Sequence, residues 1–105
     1  MNQIQYKLSV LPLFEEDLNG IVDYITEQLN NPTAALNLVD DIESAIKERL
    51  EAPVAFAPYQ SSKKRIHPYY RINVQNYAVF YVVIGDIMEV RRVLYSGRDI
   101  DRLLV

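Results

Sequence analysis

The strongest pattern in the chain is a succession of three apolar runs in its C-terminal half. They cover residues 69–75, 78–84 and 87–95 and are rich in aromatic and β-branched side chains. The pair Gly85-Asp86 separates the second run from the third. Such runs predict three successive strands of an antiparallel meander. The middle run is apolar at odd and even positions alike, so both faces of this strand should be covered.

Shorter elements are predicted at the two ends of the chain. Apolar and polar residues alternate near the N-terminus, as in a half-buried strand, and Pro12 ends the alternation. The apolar members are Ile4, Tyr6, Leu8 and Val10. After the last run, Ser96-Gly97 breaks the pattern, and residues 98–104 predict a short turn of helix. The strand that neighbours the N-terminal strand in the sheet is left open by these patterns.

Two amphipathic helices are predicted between the N-terminal strand and the meander. Their apolar stripes are Leu18, Ile21, Val22, Ile25 and Leu29, then Ala35, Leu38, Val39, Ile42, Ala45, Ile46 and Leu50. Glu15, Glu16 and Asp17 suit the first turn of the first helix, whereas Gly20 costs about 1 kcal/mol of helix propensity relative to alanine. Either Asn31 caps the second helix, with Pro32 at its first position, or Thr33 caps it.

Together these elements predict an α+β fold in one domain over residues 1–105. Its order would be an N-terminal strand, an αα-hairpin, a three-stranded antiparallel meander forming a small sheet with the helices on one face, and a short C-terminal helical turn. Residues 51–68 form a long irregular connection that contains three prolines. Connections of this length usually carry a function or cover another part of the fold.

Charge divides the chain in two. Residues 1–59 hold three basic and ten acidic side chains, whereas residues 60–105 hold eight basic and four acidic ones, within a net charge of −3. This asymmetry predicts an acidic hairpin and a cationic face that meets phosphates or an acidic protein. There is no cysteine, no apolar run of membrane-spanning length and no signal-peptide pattern at the start. We therefore expect a cytoplasmic protein that has no membrane partner.

The C-terminal half also carries a recognisable motif. It reads Arg71-x-x-x-x-Asn76-Tyr77-x-x-Phe80-Tyr81, then Val90-x-Arg92-Val93-Leu94-Tyr95-Ser96-Gly97-Arg98-Asp99. Preceded by a strand and an acidic αα-hairpin, this motif resembles the RelE/ParE superfamily, the toxins of bacterial type II toxin–antitoxin (plasmid stabilisation) modules. The resemblance implies an antitoxin that wraps around the toxin in a hetero-oligomer. It implies one of two targets: RelE-like members cut mRNA on the ribosome, and ParE-like members poison DNA gyrase.

For the RelE-like branch, the resemblance implies a metal-independent endoribonuclease, or mRNA interferase, that needs no cofactor and arrests translation. RNA cleavage through the 2′-OH needs a base, an acid and cations for the phosphorane charge. The implied catalytic residues are Lys64, Arg71, Arg92 and Tyr95, and the implied RNA- or target-binding residues are Lys63, Arg65, Arg91 and Arg98. RNA cleavage is the first expectation, because many gyrase-poisoning relatives carry histidine where Tyr95 stands. The alternative is a ParE-like gyrase inhibitor without catalytic activity.

Some of these residues also fit a purely structural role. The lysine pair at 63 and 64 also fits a solvated loop, and Tyr95 also fits an aromatic residue packed at the end of the sheet. Unless a bulge intervenes, strict alternation places Arg91 on the same face as Tyr95 and Arg92 on the other. The family pattern selects Arg92. We expect Arg71 and one of these two arginines to face the same side as Tyr95. We also expect a groove between hairpin and sheet that receives an antitoxin segment, acidic where it meets Arg71 and Arg98.

Overall fold

The computed structural model describes residues 4–61 and 63–104. These residues form an open four-stranded sheet in the order β1-β4-β3-β2. Its strands are β1 (Lys7–Val10), β2 (Tyr70–Val74), β3 (Tyr77–Ile84) and β4 (Ile87–Tyr95). The last three form the predicted antiparallel meander, and β1 pairs in parallel with β4. The strand that the sequence left open as the neighbour of β1 is therefore β4.

The predicted helices are present, and the α+β arrangement is confirmed. They are α1 (Pro12–Asp23), α2 (Pro32–Leu50) and the C-terminal α3 (Ile100–Leu103). Of the two predicted caps of α2, the structure has Asn31, whose Oδ1 accepts a hydrogen bond of 3.1 Å from the backbone N–H of Ala34. None of the described helices is long and apolar enough to cross a lipid bilayer.

The first helix departs from its predicted pattern at its end. After Asp23 it continues as a π-helical turn, Tyr24–Gln28, in which the N–H of Leu29 donates to the carbonyl of Tyr24. A π turn holds more residues than an α turn, so it rotates the following side chain away from the stripe. Leu29 is 55% exposed as a result, and its predicted place in the apolar stripe is wrong.

Both faces of β3 are covered, as its apolar sequence predicts. The helix-side core contains Val79 and Tyr81 of β3 together with buried residues of α1, the π turn and α2. The opposite-face core contains Ala78, Phe80 and Val82, packed against Ile100 and Leu104 of the C-terminal segment and Tyr59 of the long connection. The irregular connection and the C-terminal segment therefore together cover the sheet face that α1 and α2 leave open.

The N-terminal strand is less buried than its alternation predicts. Leu8 and Val10 pair with Met88 and Val90 of β4, yet they remain 43% and 37% exposed. The reason is position, because β1 is a four-residue strand at the edge of the sheet and has a neighbour on one side only.

Candidate functional site

A bulge in β4 decides where the arginines of the motif lie. Phe80 pairs with Arg92 and Tyr81 pairs with Val90, so Arg91 is an extra residue in the ladder. Val90 and Val93 both join the helix-side core, although strict alternation would separate them. The bulge therefore turns neither arginine toward that core, and the choice that the sequence posed between Arg91 and Arg92 does not arise.

Arg92 is held by Asp17 of α1. Its Nε and Nη2 lie 2.7 and 2.9 Å from the two carboxylate oxygens, and its Nη1 donates to the carbonyl of Leu103. The two side chains are only 16% and 13% exposed. The hydrogen bond to Asp17 raises the pKa of Arg92 above its ordinary value, although burial opposes this. Since Asp17 takes up the guanidinium, a phosphate would have to displace a well-paired carboxylate to reach it.

Arg91 and Arg71 lie on the face of the sheet opposite the hairpin. Arg91 donates to Glu89 at 2.7 Å and lies 5.7 Å from the ring centre of Tyr69. Burial lowers the pKa of Arg91, but hydrogen bonds to Tyr69 and Glu89 outweigh it and raise the pKa overall. Arg71 donates to Asn73 at 2.7 Å and lies 5.7 Å from the ring centre of Phe80. Both guanidiniums thus lie within cation–π distance of aromatic rings of the opposite-face core.

Tyr95 lies on the other side of the sheet. Its register partner is Tyr77, which packs against the helix-side core, and the two rings meet edge to face at 5.8 Å. Burial raises the pKa of Tyr77, and the neighbouring hydroxyls of Tyr24 and Tyr95 add to this. The expectation that Tyr95 faces the same side as Arg71 is wrong, because the bulge reverses the alternation before Tyr95 is reached.

Two of the predicted RNA-contacting cations bind the protein's own C-terminal segment. Lys63 donates to the carbonyls of Asp101 and Leu104, at 2.9 and 3.3 Å. Arg65 donates to the carbonyl of Leu104 at 3.2 Å and to the hydroxyl of Ser61 at 2.8 Å. These bonds fasten the long connection to α3. Lys64, by contrast, is an exposed residue.

A groove separates the hairpin from the end of the sheet, where the sequence predicted one. This hairpin groove has a volume of about 730 Å³, and its walls include Gly20, Ile21, Tyr24, Tyr77, Tyr95 and Arg98. Tyr24 and Tyr95 are 53% and 50% exposed, so the groove presents aromatic surface to solvent. Arg98 also lines a smaller adjoining groove together with Arg102.

Sequence reasoning missed two residues of this region. The sequence explains Asp17 only through the helix dipole, and the packing of α1 against β4 reveals it as the partner of Arg92. Tyr24 fell outside the apolar stripe, and its exposure beside two other tyrosines indicates a contact surface. Over residues 4–61 and 63–104, no group of three or more metal-binding side chains is placed to hold an ion.

Comparison with known proteins gives one family and several similar structures. The model of a family described as the ParE toxin of the type II toxin–antitoxin system parDE matches residues 8–100. The chromosomal ParDE toxin–antitoxin system from P. aeruginosa contains a similar chain, with 19% identity, a TM-score of 0.74, and coverage of 89% of this chain and 98% of that one.

Two archaeal complexes contain similar folds as well. The RelE–RelB complex from Pyrococcus horikoshii OT3 has 15% identity, a TM-score of 0.60, and coverage of 90% of this chain and 98% of that one. The RelB–RelE complex from Methanococcus jannaschii has 22% identity, a TM-score of 0.50, and coverage of 91% and 99%. No curated protein matches the chain by sequence. At these low identities, the structural similarity establishes a shared fold and nothing more.

Proposed function

Since the chain belongs to the family of ParE toxins from type II toxin–antitoxin systems, we propose that it arrests growth by binding DNA gyrase and not by cutting RNA. The observation that carries this choice is the separation of Arg71 and Tyr95, which lie on opposite faces of the sheet. A proton donor for RNA cleavage has to stand within hydrogen-bond reach of the phosphate that the arginines hold. This target implies a cytoplasmic protein.

The partners that several basic side chains already have within the protein also favour gyrase binding over RNA cleavage. An RNA-cleaving site needs positive charge that is available to the phosphorane. Arg92 is paired with Asp17, and Lys63 and Arg65 are bound to backbone carbonyls of the C-terminal segment. Binding a protein target makes no such demand, because it needs shape and a rim of complementary charge.

We further propose that the hairpin groove binds the antitoxin. Chains similar to this one come from toxin–antitoxin complexes, which supports a partner of that kind. The groove exposes the aromatic rings of Tyr24 and Tyr95, and rings of this type are enriched where protein partners meet. The predicted acidic segment of the partner would meet Arg98 here. It would not also meet Arg71, which lies on the opposite face of the sheet.

The choice of target has a direct test. Purified protein should inhibit supercoiling by DNA gyrase in vitro and leave cell-free translation unchanged, and induction in cells should trigger the DNA-damage response before protein synthesis falls. Buffer without the protein, and the protein after thermal unfolding, serve as controls. Unchanged supercoiling together with early cutting of mRNA on ribosomes would overturn the proposal.

RNA cleavage remains the second candidate, and one pair of variants separates it from gyrase binding. We expect Tyr95→Phe to retain growth arrest, because this variant loses only the hydroxyl, which the proposed mechanism does not use. If the protein cuts RNA, Arg71→Ala should lower the cleavage rate by roughly thirty- to a thousandfold, the loss of 2–4 kcal/mol of transition-state stabilisation. Lys47→Ala, which changes an exposed cation on α2, is the control. Loss of arrest in Tyr95→Phe would favour the ribonuclease.

A further inference from the structure

The chain has three glycines, and the structure gives a reason for glycine at two of these positions but not at the third. Gly85 has a φ of +62°, in the left-handed region that other residues rarely adopt. A Cβ on Gly97 would come within 2.5 Å of the ring of Tyr95. Gly20 has neither reason, since a Cβ there would meet nothing within 4 Å. It lies inside α1, where glycine costs stability relative to alanine, so no contact in the described structure accounts for it.

The position of Gly20 suggests a reason outside the chain. It lines the hairpin groove beside Ile21, across from Tyr77 and Tyr95 on the sheet. A residue without a side chain on a helix surface lets a second backbone approach that helix closely, as at the small-residue crossings of packed helices. An occupant that lies against α1 at this point would gain contact area that any larger residue would block.

The hydrogen bonding of β4 favours a helix over an added strand as this occupant. A strand added to the open edge of β4 past β1 would need the backbone donors of that edge. The N–H of Val93 is already bonded to the carboxylate of Asp17, at 3.2 Å, and the same carboxylate binds the guanidinium of Arg92. A helix satisfies its own backbone groups, so it can occupy the groove without these donors.

The charged residues of the groove favour one direction for a bound helix. Glu16 lines the α1 wall of the groove, whereas Arg98 lines both this groove and the adjoining one, in which Arg98 and Arg102 outnumber the single acid, Asp99. A helix that fits would place a basic residue near Glu16 and carboxylates near Arg98 and Arg102. A second copy of α1 meets only half of this requirement, because its first turn is acidic but its last turn holds no basic residue to place near Glu16.

We propose that Gly20 is the point at which a helix of the antitoxin crosses α1 with its backbone close to that of the toxin, and that the acidic end of this helix binds Arg98 and Arg102. The inference rests on the proposed toxin–antitoxin function and deepens it. It adds one residue that sets how closely the partner packs. It also gives a reason for a glycine that weakens α1.

Gly20→Ala tests this crossing with two readouts of opposite sign. The melting temperature of the isolated protein should rise by about 4–8 °C, since alanine favours the helix and its methyl group enters open space. Affinity for the small protein encoded by the gene next to that of this chain should fall roughly 5- to 150-fold, because the methyl group overpacks the crossing. Titration calorimetry with that purified protein measures the loss.

Asn19→Ala is the matched control, because Asn19 is the exposed neighbour of Gly20 in α1 and is not among the residues that line the groove. It should leave the affinity unchanged. Arg98→Ala should weaken binding and flatten its dependence on salt. Equal affinity of Gly20→Ala and the wild-type protein would overturn the crossing while leaving the toxin–antitoxin function intact.

Two other outcomes assign the groove differently. If the wild-type protein does not bind the neighbouring gene's product at all, the antitoxin proposal fails and the crossing fails with it. If the wild-type protein dimerises and Gly20→Ala alone abolishes the dimer, the occupant is a second copy of this chain, and the antitoxin helix is wrong. Sedimentation of both proteins distinguishes these outcomes.

Discussion

Arg92→Ala is expected to destabilise the fold by about 3–5 kcal/mol, the cost of leaving a largely buried carboxylate without its partner. The carboxylate belongs to Asp17, and both of its oxygens bond to the Arg92 guanidinium. The same carboxylate accepts the N–H of Val93, so it joins α1 to the edge of β4. A domain of this size has only about 5–15 kcal/mol of stability in total, so the variant should lose a large share of it.

Urea denaturation of a double-mutant cycle measures this interaction. Asp17→Ala and Arg92→Ala should each be strongly destabilising, whereas the double variant should cost less than their sum, because neither charge is then left unpaired. The exposed pair of Lys7 and Asp86, 4.0 Å apart and with side chains 78% and 52% exposed, is the control. Lys7→Ala should change stability by less than about 1 kcal/mol.

The cycle also distinguishes structure from function at Arg92. The family resemblance implies that this arginine stabilises charge on RNA, and the geometry shows it bound to Asp17. If Arg92→Ala kept the stability of the wild-type protein but lost growth arrest, the side chain would act on the target. The pair with Asp17 would then be a resting arrangement that the target replaces.

The elements of the fold were readable from the sequence where local pattern determines them. The runs of β4 and β3 are apolar enough to specify strands, and the stripe of α2 with Asn31 before Pro32 specifies a capped helix. Leu29 could not be predicted, because the π turn that exposes it adds one residue to an otherwise regular spacing. The parallel pairing of β1 with β4 joins residues some eighty positions apart, and no local pattern encodes it.

The candidate site was less predictable than the fold. A single bulge residue, Arg91, moves Tyr95 to the face opposite Arg71, and neither sequence periodicity nor the family motif specifies the bulge. Lys63 and Arg65 read as free cations in the sequence, but their partners are carbonyls of the C-terminal segment some forty residues away. Charge in a sequence indicates which cations exist, and only the fold indicates which are already bound.

Arg49 is a further residue whose role only the structure reveals. Its replacement is the second change that we expect to lower the stability of the fold strongly. Its guanidinium lies 3.6 Å from the ring centre of Phe56 and donates to the Tyr81 hydroxyl at 2.9 Å. That hydroxyl donates in turn to the carbonyl of Pro53 at 2.7 Å. Burial raises the pKa of Tyr81, and the bond from Arg49 only partly offsets this, so the hydroxyl stays protonated and able to donate. The end of α2, the start of the long connection and β3 are joined here.

Arg49→Ala is therefore expected to cost about 2–4 kcal/mol, since it removes a charged hydrogen bond and a cation–π contact together. Arg49→Lys should recover only part of the loss, because an ammonium cannot stack on Phe56 and reach Tyr81 as a planar guanidinium does. Tyr81→Phe should cost about 1–3 kcal/mol, the penalty for a buried carbonyl at Pro53 left without a donor. Urea denaturation measures all three, and Lys47→Ala, an exposed change in the same turn of α2, is the control.

Hydrogen exchange locates the effect of Arg49→Ala. The amide of Ala55, bonded to the carbonyl of Ala52, should exchange faster in the variant, because the neighbouring Phe56 loses its contact with the Arg49 guanidinium. Amides of the helix-side core, such as that of Val79, should keep their protection up to global unfolding. Equal exchange at Ala55 in the variant and the wild-type protein would mean that the covering segment is held by Tyr59 against Phe80 instead, and that Arg49 stabilises only its own helix.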